Sequence, residues 1–206
     1  MKTKITQIGS ITTYSPDNNE LITIKDVDIL IEDDKISEIG PEVSTADEEI
    51  DADGTLITPG FIDSHTHPVF FGNRAGEFSQ RVQGKSYEEI VSSGGGILSS
   101  TQNVRNVNED QLFDESLERV NFFLCHGTTT IEAKSGYGLT TEDELKSLRV
   151  IKRLNEVSKL DIIPTFMGAH AIPPEFKDNS SGYVDLICED MISAVAEESL
   201  AEYCDV

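Results

Sequence analysis

Two histidines, His65 and His67, stand one residue apart in the stretch TPGFIDSHTHPVF and make up half of the chain's four histidines. In a β-strand, residues i and i+2 point to the same face, so the two imidazoles would project in parallel. Such a pair suits a divalent metal ion, with nitrogen–metal distances of ~2.0 to 2.1 Å if the ion is zinc. Asp63 shares that face and could orient a ligand. The spacing therefore predicts a metal site, although two histidines also alternate along strands without binding anything.

The elements that must hold this pair change character near Gly60. From there, strands alternate with helices, which is typical of parallel βα units. The predicted strands are GFIDSHTH, TTTIEAKS and DIIPTFMGAHA, and a fourth should begin at YCDV. The predicted helices span 109–126, 140–159 and about 183–202. The second of them has Thr141 and Glu144 as a capping box. The residues from Gly60 onward are too few for a closed eight-stranded barrel, which typically takes ~250.

Residues 1–58 are different, because they contain short strands and tight turns without a helical pattern. The polar corner Asp33-Asp34-Lys35 predicts a hairpin, and Asp53-Gly54 predicts a turn between a second strand pair. The sequence thus predicts a small β domain over 1–58. Residues 59–206 would then be the first half of a barrel, incomplete at its C-terminus.

The charge and cysteine content exclude several classes of protein. With 38 acidic against 16 basic residues, the net charge of -22 repels phosphate backbones and anionic lipids. Nucleic acid and membrane are therefore not expected partners. Cys125, Cys188 and Cys204 are widely spaced and include no CxxC pair, which fits a reducing compartment. Since no apolar leader or membrane span is present in the sequence, we expect a cytoplasmic protein.

Longer motifs resemble a known family. TLITPGFIDSHTH is similar to the metal-binding opening of the amidohydrolase superfamily, and later segments narrow the resemblance to the imidazolonepropionase family of histidine degradation. These segments, in order, are VFFGNRAGEFSQR, GKSYEEIVSSGGGILSST, HGTTTIEAKSGYGLTTEDELKSLRVI and PTFMGAHAIPPEF. The resemblance extends to residue 206 but covers only the N-terminal half of a family member.

This resemblance implies both a fold and an activity. The fold class would be α/β, the N-terminal part of a (β/α)8 TIM-type metallo-hydrolase barrel preceded by a small β-sandwich-like domain. The activity would be hydrolysis of the small molecule 4-imidazolone-5-propanoate to N-formimidoyl-L-glutamate, using one divalent ion, zinc or iron. His65 and His67 match two metal ligands. The family's remaining ligands, a histidine and an aspartate, and the general acid/base are expected beyond Val206, so residues 1–206 alone should be inactive.

Three further residues match the family's substrate-binding positions. Arg74 matches a carboxylate-binding arginine, whose planar guanidinium can hold a propanoate in two parallel hydrogen bonds. Tyr137, between two glycines, matches a substrate-contacting tyrosine, and His170 matches a substrate-binding histidine. From their positions alone, Tyr137 and His170 could equally be packing residues. Tyr87 is a weaker candidate, and the helix end explains His126 without a catalytic role.

Two rival functions remain open at this point. Another cyclic-amide amidohydrolase, of the hydantoinase or dihydroorotase type, could use a carboxylated Lys134, but in those relatives the bridging lysine belongs to a later strand. A non-catalytic barrel homologue usually lacks metal ligands, and His65 and His67 are both present. The glycine run Gly94–Gly96 lacks the GK[ST] sequence of a phosphate loop and predicts a flexible loop instead. A homodimer of the full-length protein is a further expectation.

Overall fold

The computed structural model describes residues 1–206, apart from the side chain of Val91. The chain divides into two compact units, Met1–Gly60 and Phe61–Val206. Each unit has a hydrophobic core of its own.

The first unit consists of seven strands in two sheets. These are β1 (Lys2–Thr6), β2 (Ser10–Ser15), β3 (Glu20–Ile24), β4 (Asp28–Glu32), β5 (Lys35–Gly40), β6 (Glu48–Asp51) and β7 (Leu56–Ile57). One sheet has the order β5-β4-β1-β6 and the other the order β3-β2-β7. Their apolar side chains meet in one small cluster around Ile8, Ile11 and Ile29.

The two predicted turns of this unit have different outcomes. Asp33 and Asp34 both have left-handed backbone, as a two-residue hairpin turn requires, and the β4–β5 hairpin is confirmed. The prediction at Asp53-Gly54 was wrong about pairing. These residues do form a tight left-handed turn, but β6 pairs with β1 and β7 pairs with β2, so the turn carries the chain from one sheet to the other.

The second unit contains a parallel sheet in which the strands are adjacent in chain order. Its strands are β8 (Phe61–Thr66), β9 (Thr128–Lys134), β10 (Asp161–Phe166) and β11 (Tyr203–Cys204). All three pairings are parallel. Four sequential parallel strands correspond to half of an eight-stranded barrel, and their carboxyl ends lie at one edge.

Seven α-helices belong to the described part of this unit. They are α1 (Ala75–Val82), α2 (Tyr87–Ser92), α3 (Ile97–Asn106), α4 (Glu109–Cys125), α5 (Thr141–Val157), α6 (Ser180–Leu186) and α7 (Ile192–Glu197). Helix α4 begins with a capping box between Asn108 and Gln111. Its buried face and that of α5 cover the sheet with residues such as Val120, Leu148 and Ile151. Among the described residues, none of the helices combines the length and apolarity needed to cross a membrane.

Three predicted element boundaries were wrong. Helix α5 is capped by Thr140, whose hydroxyl accepts the N–H of Asp143, so the cap lies one residue before Thr141. The third parallel strand ends at Phe166, and His170 lies beyond it in a 3-10 turn, Gly168–His170. The long helix predicted from Tyr183 is α6 and α7 with a π-helical turn, Ile187–Met191, between them. The run Gly94–Gly96 connects α2 to α3, with Gly96 as N-cap.

Candidate active site

Three of the predicted site residues come together at the carboxyl edge of the parallel sheet. The rings of His67 and His170 stack with centroids 4.6 Å apart, and Tyr137 lies 5.3 Å from each of them. His65 is next to His67, with ring centroids 5.6 Å apart. His65 lies in β8, whereas His67, Tyr137 and His170 follow β8, β9 and β10, and parallel pairing brings the ends of those strands to one place.

His67 is held in one tautomer. Its Nδ1 lies 3.1 Å from the carbonyl oxygen of Ser135, so Nδ1 carries the proton and donates it to that carbonyl. Burial, reinforced by the nearby imidazoles of His170 and His65, lowers the pKa of His67 to about 4. The ring is therefore neutral at pH 7 and has a free lone pair on Nε2, which is the form of histidine that binds metals.

His65 and His67 fit a metal ion in their donor chemistry but do not complete a site. Within the described residues, no group of three or more His, Cys, Asp or Glu side chains could hold an ion. Catalytic zinc usually takes three protein ligands. Asp63 accepts the backbone N–H of His65 at 3.3 Å, so its observed contact is with main chain and not with an imidazole.

His170 is positioned by the loop that follows β9. Its Nδ1 donates to the carbonyl oxygen of Gly136 at 3.0 Å, which leaves Nε2 as a free acceptor. Gly136 has φ +108°, and a Cβ at this position would lie 2.8 Å from the Cβ of His170. The close approach of the two backbones therefore needs glycine.

Arg74 lines a cleft of about 250 Å³ together with Tyr137 and with Ser100 and Asn103 of α3. Its side chain is about half exposed, and its nearest carboxylate, that of Glu77, lies 3.9 Å away. The guanidinium is thus available to an anion in the cleft. Burial raises the pKa of Tyr137, whose hydroxyl stays protonated and can donate. Tyr87 is largely exposed and lines a neighbouring cleft that also includes Arg74.

The loop between His67 and Arg74 is held by an ion pair that the sequence did not reveal. Arg119 of α4 donates to the carbonyl oxygens of Pro68 and Phe70 at 3.2 and 2.6 Å, and its guanidinium carbon lies 3.5 Å from the Phe70 ring centroid. Arg119 also pairs with Glu115, which accepts the N–H of Gly72. This i,i+4 pair resembles any exposed helix pair in sequence, so only the tertiary structure shows its role.

The side chain of Glu144 has a different role from the one predicted from the sequence. It was predicted to cap α5, but that task belongs to Thr140 and Asp143, and the Glu144 side chain is 0% exposed. Its carboxylate faces the loop after β9 and accepts three backbone N–H groups there. The sequence feature that could have indicated this role is the position of a glutamate within the apolar stripe of α5, beside Leu145 and Leu148.

Lys134 lies in an ion-pair network within the sheet. It is 3% exposed, and its ammonium donates to Glu132 and Asp205 at 2.7 and 2.8 Å. Burial acts to lower the pKa of Lys134, but the hydrogen bonds to the two carboxylates outweigh it and raise that pKa. His126 lies apart, with Nδ1 bonded to the carbonyl oxygen of Phe122.

Several curated imidazolonepropionases are similar in sequence to this chain. The chain is 46% identical to that of Thermoanaerobacter pseudethanolicus over 203 residues, which are 98% of this chain and 49% of the relative. It is 48% identical to that of Brevibacillus brevis and 47% identical to that of Christiangramia forsetii, in each case over 91% of this chain and 46% of the relative. The chain therefore spans about half the length of the curated relatives it matches. No protein-family model matches it.

Solved structures with a similar fold include a chlorohydrolase and a deaminase. The atrazine chlorohydrolase TrzN from Arthrobacter aurescens TC1, complexed with zinc, has a TM-score of 0.56 at 14% identity, over 98% of this chain and 46% of that one. Guanine deaminase from C. acetobutylicum, with bound guanine, has a TM-score of 0.54 at 14% identity, over 98% and 45%. The expected α/β class and the parallel half-barrel are thereby confirmed.

Proposed function

Because this chain belongs to the imidazolonepropionase family, whose members it matches over about half their length, we propose that the full-length protein is an imidazolonepropionase. It would hydrolyse the cyclic amide of 4-imidazolone-5-propanoate to N-formimidoyl-L-glutamate. The observation that carries the proposal is the convergence of His67, Tyr137 and His170 at the carboxyl edge of the parallel sheet, next to the cleft that contains Arg74.

We propose that His65 and His67 supply two ligands to one divalent ion, zinc or iron, and that further ligands come from the rest of the full-length protein. When bound, such an ion lowers the pKa of a coordinated water and polarises the carbonyl under attack. The contribution of this chain is to present His67 neutral and with Nε2 free, since Ser135 holds its Nδ1 proton.

The other site residues would bind and orient the substrate. Arg74 would donate two parallel hydrogen bonds to the propanoate carboxylate. Its positive charge would attract this anion, which the net negative charge of the protein otherwise repels. The Tyr137 hydroxyl would donate to a polar atom of the ring. His170, which is bonded to Gly136 through Nδ1, would accept a ring N–H at Nε2. Orientation of this kind reduces the entropic part of the barrier.

The two rival functions have less support. A hydantoinase- or dihydroorotase-type site with a carboxylated Lys134 requires a neutral amine, whereas this ammonium is paired with Glu132 and Asp205. A non-catalytic barrel homologue would have no use for the preset tautomers of His67 and His170.

The test is turnover by the purified full-length protein. Loss of the imidazolone ultraviolet absorbance above the spontaneous rate, with formation of N-formimidoyl-glutamate, is the expected result. Hydantoin and dihydroorotate are the matched alternatives. Turnover of either one without the imidazolone, or two equivalents of metal per chain, would favour the dinuclear rival, and turnover of none would favour the non-catalytic homologue.

Five further properties complete the proposal. The two sheets within 1–58 would form a small β-sandwich-like domain, which the shared apolar cluster supports. Residues 59–206 would form the first half of the barrel. The protein would be cytoplasmic. The full-length form would be a homodimer, for which light scattering coupled to size exclusion is the test.

The full-length protein would bind its small-molecule substrate and would bind neither nucleic acid nor membranes.

A further inference from the structure

The loop Ser135–Leu139, which follows β9, contacts or supplies three site side chains. The Ser135 carbonyl accepts Nδ1–H of His67, and the Gly136 carbonyl accepts Nδ1–H of His170, at 3.1 and 3.0 Å. Tyr137 itself is the next residue in the chain after these two. A shift of this loop would therefore move a proposed metal ligand and two proposed substrate residues together.

The conformation of this loop is one that the backbone does not adopt readily. Gly136 has φ +108° and Leu139 has φ +57°, and a side chain on Gly138 would collide with the backbone of Asp143 and Glu144. Left-handed backbone at a residue with a Cβ costs free energy and persists only where its surroundings impose it.

The carboxylate of Glu144 supplies that constraint. Its Oε2 accepts the N–H of Gly136 at 2.9 Å, and its Oε1 accepts those of Gly138 and Leu139 at 2.8 Å each. The side chain is fully buried, so no solvent can replace these bonds. Burial raises the pKa of Glu144, and hydrogen bonds from Ser135 and the three N–H groups counteract that rise.

We propose that Glu144 is a positioning residue for the active site, which acts by holding the loop Ser135–Leu139 and, through it, His67, Tyr137 and His170. The kinetic consequences of this inference rest on the proposed function. The hydrogen bonds from which it is argued are independent of that function. Glutamine at position 144 has nearly the same size, but only one of its two terminal atoms accepts. It can serve the Oε1 partners Gly138 and Leu139, and it leaves the N–H of Gly136 facing an NH₂ group.

The matched control is Leu154→Ala. Leu154 lies in the same helix and is also fully buried, but it packs in the core, more than two turns beyond Glu144. Truncating this side chain should lower the temperature of thermal unfolding without touching the loop. Both variants are made in the full-length protein, and thermal unfolding, kcat, KM and bound metal per chain are measured well below the unfolding transition.

For Glu144→Gln we expect kcat/KM to fall by about ten- to hundredfold, with a lower kcat and less bound metal. A loss of this size is what misplacement of active-site groups by about 1 Å can cause. Leu154→Ala should retain kcat/KM within about twofold although it unfolds at a lower temperature. Wild-type kinetics and metal content in Glu144→Gln, or equal kinetic losses in both variants, would overturn the proposal.

A second measurement needs neither folding of a variant nor turnover. In wild-type protein labelled with ¹⁵N-glycine, the amides of Gly136 and Gly138 should exchange with solvent far more slowly than that of Gly76, which is exposed and lies in the first turn of α1, where N–H groups have no intrahelical partner. Exchange at the same rate as Gly76 would contradict the role of Glu144. Because this readout is independent of substrate, failure of the inference can be told apart from failure of the proposed function, which wild-type turnover decides.

Discussion

The imidazole rings of His67 and His170 stack in nearly parallel planes, with centroids 4.6 Å apart and an interplanar angle of 16°. The two residues follow the first and third strands of the parallel sheet, and each donates its Nδ1 proton to the loop after the intervening strand. One loop thus sets the tautomer of both rings. A proposed metal ligand and a proposed substrate residue are therefore coupled through shared backbone, and changes at either should affect both.

Removing the two imidazoles should remove the metal. In the full-length protein, the double variant His65→Ala, His67→Ala is expected to lose its bound ion and its turnover, because the remaining ligands are too few. Elemental analysis measures the bound ion, the imidazolone absorbance assay measures turnover, and circular dichroism checks that the fold is retained. His126→Ala is the control, since His126 is the C-cap of α4 and lies away from the site. Retention of one equivalent of metal in the double variant would rule out the ligand assignment.

Arg74→Lys keeps the positive charge and loses the two-pronged hydrogen bonding to a carboxylate. We expect kcat/KM to fall by a factor of ten or more, each factor of ten corresponding to about 1.4 kcal/mol. Arg81→Lys, in the helix that begins after Arg74, should leave kcat/KM unchanged. Steady-state kinetics decide the matter, and an Arg74→Gln variant with wild-type kcat/KM would exclude carboxylate recognition.

Gly136→Ala should displace His170. The added Cβ would lie 2.8 Å from the His170 Cβ, in addition to the cost of φ +108°. Gly84 has φ +95° and nothing within 4 Å of its added Cβ, so Gly84→Ala carries the backbone cost alone. Both variants should lose about 1 kcal/mol of unfolding free energy from the backbone, and Gly136→Ala should lose more than that, together with most of kcat/KM. Equal behaviour of the two in denaturant titrations and kinetics would contradict the observed packing.

Arg119→Met should loosen the loop between His67 and Arg74. It removes hydrogen bonds to Pro68 and Phe70, the ion pair with Glu115 and the contact over the Phe70 ring. A loss of about 2 to 3 kcal/mol in unfolding free energy is expected, with a raised KM. The control is Arg149→Met, which breaks a more exposed pair with Glu198 and should cost about 1 kcal/mol or less. Similar losses in the two variants, measured by urea denaturation, would argue against this role of Arg119.

Residues 1–206 produced alone should be prone to aggregation, bind metal weakly and fail to hydrolyse the imidazolone. Strand β8 lies at an edge of the described sheet, and Phe61 and Ile62 on it are 61% and 74% exposed. Exposed apolar edge strands pair with other chains. Light scattering, metal titration and the absorbance assay test this, with the full-length protein as the reference. A well-folded monomer with metal-dependent turnover would show that the site is complete within these residues.

The sequence by itself determined the class of the fold and the neighbourhood of the site. Alternation of strands and helices after Gly60 predicted the parallel sheet, because hydrophobic period and turn residues are local properties. The resemblance to a family then identified His65, His67, Arg74, Tyr137 and His170 as candidates. It could do so because their motifs are contiguous stretches of sequence.

Only the tertiary structure decided what holds those residues in place. From the sequence, Glu144 was predicted to cap a helix and Arg119 was not singled out, because the partners of a side chain across the fold cannot be identified from local sequence patterns. The end of β10 at Phe166 and the turn that carries His170 depend in the same way on contacts with Gly136 and Ser135. Local chemistry thus specified which groups could act, and long-range packing specified their tautomers, their distances and the residues that support them.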